Sequence, residues 1–550
     1  MNKLHQFFKT HYWLMIALLA NLVLLLVWFA SLTENELLVL FSSDALTQAS
    51  VYYDIFVNGS TVQGWTFCGA PNFFPDMLFY SILMGITSNF LTSTFLFSLI
   101  QYFAIAFIIF AIFRQITNIT SSVFSLSIYL FLFTLLYFLV DNGFYYSFLI
   151  LSCSYHNGVF VISLLIAFLS LKFIEKESWI TLVLIFLMTA IMYPCDRLFL
   201  ITYLAPALFT VVVLLITGGN KRKILKFSST CILGLLVGMI IFDKLSHNSV
   251  FYIYGIVQDI SWPAIVNAWN VFSSQMIVTV SHFSFIGLTI ILSAISYIWT
   301  AYYCVNQFIK IRQKKQPISS LFVFEVFVFA FVPMMLFAPI LNGSYIGFDA
   351  IRYNYFAFII LQFNLILLSN GFLAKYKYVT YGLNGVFSIA LIAYLAWNIF
   401  TIDFITDFKN YFSSYTERTR NVDNQFPQNK TAIYGITNDY WYAKHVTMFS
   451  KKEVRLYVTF EEGIPFLLAT NKKWFTGNSD WKYTNPVFTF VLWTSDLPLP
   501  DYFITQNPPY KSYDIGGNKT LHFVNPFVYD EDVLYPRDKN ELQTPECQIQ

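Results

Sequence analysis

Three aspartates, Asp44, Asp54 and Asp76, lie in residues 31–76, a stretch of the chain that contains no Lys or Arg. Asp44 follows a pair of serines, and Asp54 follows a pair of tyrosines. Burial raises the pKa of a carboxyl group toward neutrality, and a carboxylate tuned in this way can take a proton from a hydroxyl or an amine. Asp44 is therefore a candidate general base. The alternative for Asp44 is a solvated loop acid or a helix cap.

A second carboxylate would be needed if a divalent metal held a phosphate group during such chemistry. Asp141 lies in the next predicted outer loop and suits this role together with Asp44. Mg²⁺ or Mn²⁺ would be the metal, although no motif in the sequence requires a cofactor. A solvated loop acid or a helix cap is the alternative for Asp141 as well.

Three further side chains are candidates for binding a donor or an acceptor. Arg352 could hold a phosphate bidentately, or could pair with Asp349 instead. Arg197 is a similar candidate, and a pair with Asp196 is its alternative. His156 could donate to a phosphate or move a proton, or it could have only a structural role at the start of a helix.

The chain that must position these residues is too apolar for a water-soluble fold. Hydrophobic residues make up 57% of its 550 residues and charged residues 12%, against about 25% charged residues in ordinary soluble domains. A membrane-spanning helix needs about 20 mostly apolar residues, and this criterion predicts a polytopic α-helical membrane protein with about eleven spans. The predicted spans are residues 12–30, 91–113, 120–140, 157–174, 179–195, 198–217, 228–243, 284–308, 319–340, 353–373 and 380–400.

The basic residues give these spans a direction. The segments assigned to the cytoplasm hold 15 Lys and Arg residues, whereas the outer loops before residue 401 hold three, Arg197, Lys244 and Arg352. This asymmetry predicts a cytoplasmic N-terminus and an extracytoplasmic segment after about residue 401. Glu325 lies well within a predicted span, where we expect a structural role with the carboxylate reaching the cytoplasmic interface.

The composition changes at about residue 400. Residues 1–400 are the predicted transmembrane domain, in which residues 31–76 form a long first outer loop, and residues 401–550 are a small extracytoplasmic domain of the α+β or α/β class. Its tryptophans, Trp474 among them, could line a sugar-binding surface or pack in a core. Predicted strands occupy residues 431–436, 454–460, 487–493 and 521–524, and a helix capped by Asn438 runs to about Phe449.

Several classes of function are excluded by what the sequence lacks. It contains no nucleophile elbow, no P-loop and no cluster with metal-ligand spacing. Its net charge of +2 gives no basic field that would attract nucleic acid.

In layout, residues 1–400 resemble the GT-C superfamily of membrane glycosyltransferases, which includes the protein O-mannosyltransferases and the aminoarabinose transferases. Asp44 stands where that family places a catalytic Asp soon after the first helix. Many members carry an acidic doublet there, whereas Ala45 follows here, and this departure leaves the choice between Asp44 and Asp54 open.

Other short segments are similar to the same family. The run from Gly64-Trp65 to Phe74-Pro75-Asp76 resembles the aromatic and proline stretch that leads to the second helix. Asp141 matches an acid in the second outer loop of some members, and the segment that contains His156 resembles a polar segment in some bacterial branches.

The resemblance implies a multi-pass enzyme of the cell (inner) membrane, in contact with membrane lipids. It would move a sugar from a polyprenyl-phosphate donor to a lipid, glycan or protein acceptor on the extracytoplasmic face. Two other functions fit the same layout. A transporter or lipid flippase would call for polar groups near the membrane midplane and internal repeats. A non-catalytic assembly factor would use its outer domain to recruit partners.

Overall fold

The computed structural model describes residues 2–117, 146–247, 250–253, 260–282, 285–313, 316–375, 404–412, 415–427, 431–476 and 486–529, with single positions at 382, 393 and 396. Asp141 and the predicted span at 120–140 lie outside the described residues. The predicted span at 380–400 does too, apart from those three positions.

Helices dominate the first 375 residues, and further helices lie in the C-terminal part. The longer ones are Asn2–Ala30, Leu78–Thr87, Phe90–Ile116, Asn157–Glu175, Trp179–Cys195, Ala205–Ile216, Lys221–Ser246, Trp262–Ser281, Phe285–Arg312, Ser320–Leu341, Tyr355–Lys375, Phe404–Phe412 and Tyr440–Phe449. Shorter helices are Glu34–Leu40, Thr47–Tyr52, Tyr146–Leu151, Glu417–Asp423, Lys473–Thr476 and Asp501–Thr505. Segments of π- or 3₁₀-helix occupy Tyr53–Val57, Phe73–Met77, Leu200–Leu204 and Phe348–Tyr353.

Five of the described helices are long and apolar enough to cross a membrane, and a sixth span arises if the bent pair Leu18–Ala30 and Glu34–Leu40 is counted as one. Predicted spans at 179–195, 198–217 and 353–373 coincide with shorter apolar helices. The count of eleven spans therefore stays a prediction. The five helices are Phe90–Ile116, Asn157–Glu175, Lys221–Ser246, Ile286–Arg312 and Ser320–Leu341.

Two glycines allow a close helix pair within the apolar bundle. Gly234 and Gly238 are four residues apart on the helix Lys221–Ser246 and face the helix Trp179–Cys195. A Cβ added at Gly234 would lie 2.9 Å from the Cβ of Thr189, and one at Gly238 would lie as close to a Cβ of the same neighbour helix. Small residues at this spacing let two helix backbones approach, as they do in membrane helix pairs.

Glu325 joins three helices of the bundle. It is fully buried, and its Oε2 accepts a hydrogen bond of 2.8 Å from the side-chain amide of Asn364. The same amide donates to the hydroxyl of Thr300 at 2.6 Å. These two hydrogen bonds are the physical basis of the structural role expected for Glu325. The expected reach to the cytoplasmic interface is wrong, because a neighbouring helix supplies the partner inside the bundle.

The C-terminal part contains a mixed five-stranded sheet. In spatial order its strands are β4 (Val454–Val458), β3 (Ile433–Thr437), β6 (Phe488–Thr494), β8 (Lys519–Phe527) and β7 (Pro509–Gly516). The first three run parallel, and β8 and β7 are antiparallel to their neighbours. The crossover from β3 to β4 is the helix Tyr440–Phe449, which begins after an Asp439 cap and not after the Asn438 cap expected from the sequence.

Both faces of this sheet are covered. Ala443 and Val446 of the crossover helix pack on one face, against Leu456 and Leu492. The opposite face carries a second apolar cluster that includes Trp493 and several buried aromatic rings. Because Ala443 and Val446 turn toward the sheet, other side chains of the same helix are left to contact the membrane part.

A smaller sheet links distant parts of the chain. Strand β1 (Trp65–Phe67) of the first outer loop pairs in parallel with β2 (Tyr252–Ile253) and antiparallel with β5 (Thr470–Asn471). Main-chain hydrogen bonds therefore fasten the loop to the region that carries the C-terminal sheet. Such bonds fix position more tightly than side-chain contacts alone, since each pairs two backbone groups that would otherwise be buried without a partner.

Gly435 offers a test of the five-stranded sheet. A Cβ at this position of β3 would overlap the ring of Phe490, which is fully buried on the neighbouring strand. We expect Gly435→Ala to lower the free energy of unfolding by about 1–3 kcal/mol through overpacking. The thermal unfolding midpoint of the purified protein measures it. The double variant Gly435→Ala, Phe490→Leu should recover part of the loss, and an unchanged midpoint in the single variant would contradict this packing.

Candidate functional site

Asp44 lies in the turn that joins the helices Glu34–Leu40 and Thr47–Tyr52 of the first outer loop. The hydroxyl of Tyr440 donates a hydrogen bond of 2.7 Å to Asp44 Oδ1. The Ser43 hydroxyl donates to the main-chain carbonyl of Tyr440, so two adjacent loop residues hold the same point of the C-terminal part. Burial raises the pKa of Tyr440 well above its ordinary value, and Asp44 adds to that shift, so the phenol remains a donor at neutral pH.

Lys444 brings a cation to the same place. It lies one helical turn after Tyr440, so both side chains reach the first outer loop from one helix face. Its buried ammonium donates to the Thr47 hydroxyl at 2.7 Å and to the main-chain carbonyl of Ser43 at 3.1 Å. Burial lowers the pKa of Lys444 to about 8, and the Asp44 carboxylate opposes this shift. The side chain therefore keeps its charge at pH 7.

Arg352 is a second cation that interacts electrostatically with Asp44. It lies in the 3₁₀ segment Phe348–Tyr353, where its Nη1 is 3.5 Å from Asp349 Oδ2 and its Cζ is 5.1 Å from the centroid of the Tyr353 ring. Burial acts to lower the pKa of Arg352, but Tyr353, Asp44 and Asp349 outweigh it and leave that pKa above its ordinary value. The expected pair with Asp349 is present, and Asp44 acts on the same guanidinium.

A turn with strained backbone lies next to these groups. Tyr155 and His156 have φ angles of 53° and 66°, a region that non-glycine residues rarely adopt and that costs about 1–3 kcal/mol for each. The hydroxyls of Tyr155 and Ser42 lie 2.7 Å apart, which ties the turn to the segment before Asp44. His156 Nδ1 lies 2.6 Å from Asp196 Oδ2, so contacts on both sides hold the strained conformation.

Arg197 and His156 can now be placed. Because Asp196 pairs with His156, the alternative in which Arg197 pairs with Asp196 is wrong. Arg197 is exposed, and its Cζ lies 5.2 Å from the centroid of the Phe242 ring. His156 stands at the N-cap position of the helix Asn157–Glu175, where its side chain makes no capping hydrogen bond.

Asp76 is a buried acid that was not among the candidate site residues. It packs against Gly158 in the first turn of the helix Asn157–Glu175, so closely that a Cβ at Gly158 would lie 2.6 Å from Asp76 Oδ2. Burial raises the pKa of Asp76 to about 8 and Asp196 adds to the shift, whereas the backbone N–H of Gly158 opposes it. Asp76 is therefore mainly protonated at pH 7.

Asp54 lies in a different environment from Asp44. Its two carboxylate oxygens accept from the indole N–H of Trp474 at 3.0 and 2.9 Å. Burial raises the pKa of Asp54 to about 7, and the contacts with Trp474 and Asn58 oppose the shift. Ten residues of mostly helical chain separate the two aspartates, which corresponds to about 15 Å along a helix axis. Only Asp44 shares its surroundings with Arg352 and Lys444.

No group of three or more His, Cys, Asp or Glu side chains in the described part of the chain is arranged to hold a metal ion. Among the described residues, Asp44 accepts a hydrogen bond from a phenol and interacts electrostatically with an ammonium and a guanidinium, which are groups that match an anion. The predicted Mg²⁺ or Mn²⁺ at Asp44 and Asp141 stays a prediction, because Asp141 lies outside the described residues.

Tyr440 and Lys444 were also not among the candidate site residues predicted from the sequence. Their signal is visible afterwards, because a Tyr and a Lys four residues apart share one face of a predicted helix. Nothing in the sequence says that this face meets a loop almost 400 positions earlier.

The chain matches no known family model and no curated protein sequence. Solved structures that are similar to it include the following two. ArnT from Cupriavidus metallidurans in the apo state is 9% identical, with a TM-score of 0.41 over 92% of this chain and 97% of that one. The Archaeoglobus fulgidus oligosaccharyltransferase in complex with Zn and sulfate is 11% identical, with a TM-score of 0.39 over 88% of this chain and 68% of that one. At these TM-scores, a functional assignment depends on the site itself.

The raised pKa of Asp54 predicts a pH-dependent stability. The folded state binds this proton up to about pH 7, whereas the ordinary pKa is 3.8. The stabilising contribution is therefore complete below about pH 4 and is lost as the pH rises to 7. Relative to Asp54→Asn, wild type should lose roughly 1.4 kcal/mol per pH unit across this range.

Thermal unfolding at intervals between pH 4.5 and 7 measures the difference. Asp243→Asn, which alters a well-exposed acid, is the matched control and should run parallel to wild type. Parallel curves for wild type and Asp54→Asn would contradict the burial of a titrating carboxyl at Asp54.

Proposed function

We propose that this protein is a membrane glycosyltransferase similar to the GT-C superfamily, with Asp44 as its general base. It would transfer a sugar from a polyprenyl-phosphate donor to a lipid, glycan or protein acceptor on the extracytoplasmic face. One observation carries the proposal. A carboxylate in the first outer loop shares its surroundings with two cations, Lys444 and Arg352, so a proton acceptor and an anion-binding site lie together.

The reaction has two parts that need different groups. An acceptor hydroxyl or amine attacks the anomeric carbon, and its proton passes to the Asp44 carboxylate. The bond between the anomeric carbon and the phosphate oxygen breaks, and polyprenyl phosphate leaves with the electron pair. Lys444 and Arg352 would stabilise the negative charge that develops on the leaving phosphate.

Tyr440 and the loop contacts hold the Asp44 side chain in position. The hydroxyl of Tyr440 fixes one carboxylate oxygen of Asp44, which leaves the orientation of the second oxygen defined. Phosphate is a good leaving group, so alignment of base, acceptor and donor supplies much of the rate. Arg352 is the better candidate for bidentate contact with phosphate oxygens, whereas Lys444 acts as a compact point charge.

The surroundings favour Asp44 over Asp54 as the proposed base. Asp54 is almost fully buried, and both of its oxygens are occupied by the indole of Trp474. Asp44 is only half-buried and lies beside the cations. A base must reach both the acceptor and the donor, and Asp44 meets that geometric requirement better.

The rival functions receive no comparable support. A transporter would use ionisable groups near the membrane midplane, but Glu325 is bonded to a neighbouring helix in a way that stabilises the bundle. An assembly factor would have no need for buried cations beside a loop carboxylate.

Substitution of the aspartates tests the assignment. We expect Asp44→Asn to lower transfer by about 10²–10⁴-fold, because the carboxamide cannot take the proton. Asp54→Asn should retain transfer within about tenfold of wild type. The assay supplies polyprenyl phosphate carrying radiolabelled mannose, glucose, arabinose or aminoarabinose to protein in lipid nanodiscs and measures labelled acceptor and released lipid phosphate. Asp243→Asn is the control. Full transfer by the double variant Asp44→Asn, Asp54→Asn would overturn the proposal.

The two cations should act on the donor. We expect Lys444→Met and Arg352→Gln each to raise the KM for the donor by about tenfold or more, since each loses a charge-assisted contact to phosphate. The KM for the acceptor should change much less. Arg420→Gln removes an exposed arginine from the C-terminal part and is the control. Equal effects on donor and acceptor KM would argue against phosphate binding by these side chains.

A further inference from the structure

The imidazole of His156 reaches the proposed transfer centre, which is formed by Asp44, Lys444 and Arg352, through one aromatic ring. Its ring centroid lies 5.5 Å from that of Tyr353. The same Tyr353 ring contacts Arg352, whose Cζ lies 5.1 Å from the ring centroid and whose Nη2 donates a hydrogen bond of 3.3 Å to the phenol oxygen. The ring of Tyr353 therefore lies between His156 and the guanidinium that the proposed function assigns to the donor phosphate.

The residue before His156 contacts the loop that carries the proposed base. The hydroxyls of Tyr155 and Ser42 lie 2.7 Å apart, and Ser42 is two residues before Asp44. Tyr155 also interacts electrostatically with Arg352. The turn at residues 155–156 thus contacts the surroundings of both the carboxylate and the guanidinium.

The backbone at His156 favours a different residue type. Its φ and ψ angles of 66° and 14° lie in the left-handed region, which glycine and asparagine adopt more readily. The side chain makes no hydrogen bond that would cap the helix beginning at Asn157. A strained conformation persists only where the surrounding contacts determine it. The contacts of the imidazole ring, and not helix capping, therefore account for a histidine at this position.

Asp196 fixes the orientation of that imidazole. Its Oδ2 lies 2.6 Å from His156 Nδ1, and its Oδ1 accepts a hydrogen bond of 2.9 Å from the main-chain N–H of Leu198. The carboxylate is 3% exposed and the imidazole 17%, so both groups are largely removed from water. A carboxylate that is itself hydrogen-bonded to the backbone sets the ring orientation of the histidine it contacts.

We propose that His156, held by Asp196, is a positioning residue for Arg352 and through it for the donor phosphate. Asp196 orients the imidazole, the imidazole supports the ring of Tyr353, and that ring holds the guanidinium near Asp44. An arginine side chain has several rotatable bonds, so neighbours that limit its motion lower the entropic cost of a bidentate contact with phosphate. This role in donor binding rests on the proposed function, and it requires no contact between His156 and the substrate.

The variant His156→Asn tests the proposal, because asparagine suits the left-handed backbone but lacks the ring that contacts Tyr353. In the transfer assay, we expect the KM for the donor to rise about fivefold, as is typical for the loss of one aromatic contact. The KM for the acceptor should stay within about twofold of wild type. His247→Asn is the matched control, because His247 pairs with Asp243 at 3.2 Å in a well-exposed position.

Coupling to Arg352 separates positioning from a merely structural role. In the Arg352→Gln background, His156→Asn should raise the donor KM by less than about twofold, since the group that it positions is gone. In the Lys444→Met background it should keep its full effect of about fivefold. Equal rises in the donor and acceptor KM, or an undiminished effect in the Arg352→Gln background, would overturn the proposal.

Direct binding gives a second readout that does not require transfer. The probe is radiolabelled farnesyl phosphate, with farnesol as its uncharged counterpart, applied to the full chain in lipid nanodiscs and compared with empty nanodiscs. We expect His156→Asn to weaken the binding of farnesyl phosphate about fivefold and to leave that of farnesol unchanged. Tyr353→Leu removes the intervening ring without altering the turn at residues 155–156, and it should weaken the binding at least as much. The second variant keeps the test valid if the first folds poorly.

Failure of this proposal and failure of the proposed function give different results. If wild type binds farnesyl phosphate but transfers no sugar, the proposed function is contradicted, while weaker binding by both variants still supports the role of His156. If wild type transfers sugar and both variants bind and transfer as it does, only the role of His156 is overturned. If wild type shows neither binding nor transfer, both proposals are overturned.

Discussion

The arrangement of residues around the first outer loop depends on one electrostatic constraint. The first outer loop contains no Lys or Arg, yet it places carboxylates in buried or half-buried positions. A charge that is removed from water without a partner costs several kcal/mol. The loop cannot meet this requirement alone, so distant segments must supply the donors. Tyr440 and Lys444 do so around Asp44, and Trp474 does so for Asp54.

Asp76 meets the same constraint by another route. Burial raises the pKa of Asp76 to about 8, and the side chain lies beside Gly158, at the positive end of a helix dipole. The three aspartates of this loop thus show three solutions, which are a phenol hydrogen bond near two cations at Asp44, hydrogen bonding by an indole at Asp54, and protonation at Asp76. Each solution fixes the loop against a different element, and the strand β1 adds main-chain pairing to both sides. A loop fastened at so many points can hold a base in a constant position.

The sequence predicts those features that depend on local periodicity. Apolar runs located the helices Phe90–Ile116 and Ser320–Leu341 closely, and alternation located β3 and β6 within a few residues. The helix Trp262–Ser281 was not predicted, because Asn, Ser and Gln side chains interrupt its apolar positions. Strand β7 was not predicted, because its side chains are mostly exposed and its sequence pattern is polar.

The candidate site was predicted in part for a related reason. Asp44 and Arg352 were identified from residue type and position, since a carboxylate without local bases and an arginine at a helix start are visible in one segment. Their partners Tyr440 and Lys444 lie almost 400 residues from Asp44, and only tertiary packing reveals that pairing. The same applies to Asp54, whose separation from Asp44 depends on where Trp474 docks.

The source of the second cation follows from the topology that the charges predict. Orientation in a membrane disfavours Lys and Arg in short outer loops, and only three such residues precede residue 401 on the predicted outer side. One of them, Arg352, lies near Asp44, whereas Arg197 contacts Phe242. In the proposed function, the second cation that contacts the donor phosphate comes instead from the predicted extracytoplasmic segment after about residue 401. Lys444 lies in that segment, so in the proposed function the C-terminal part has a chemical role in the site as well as a structural one.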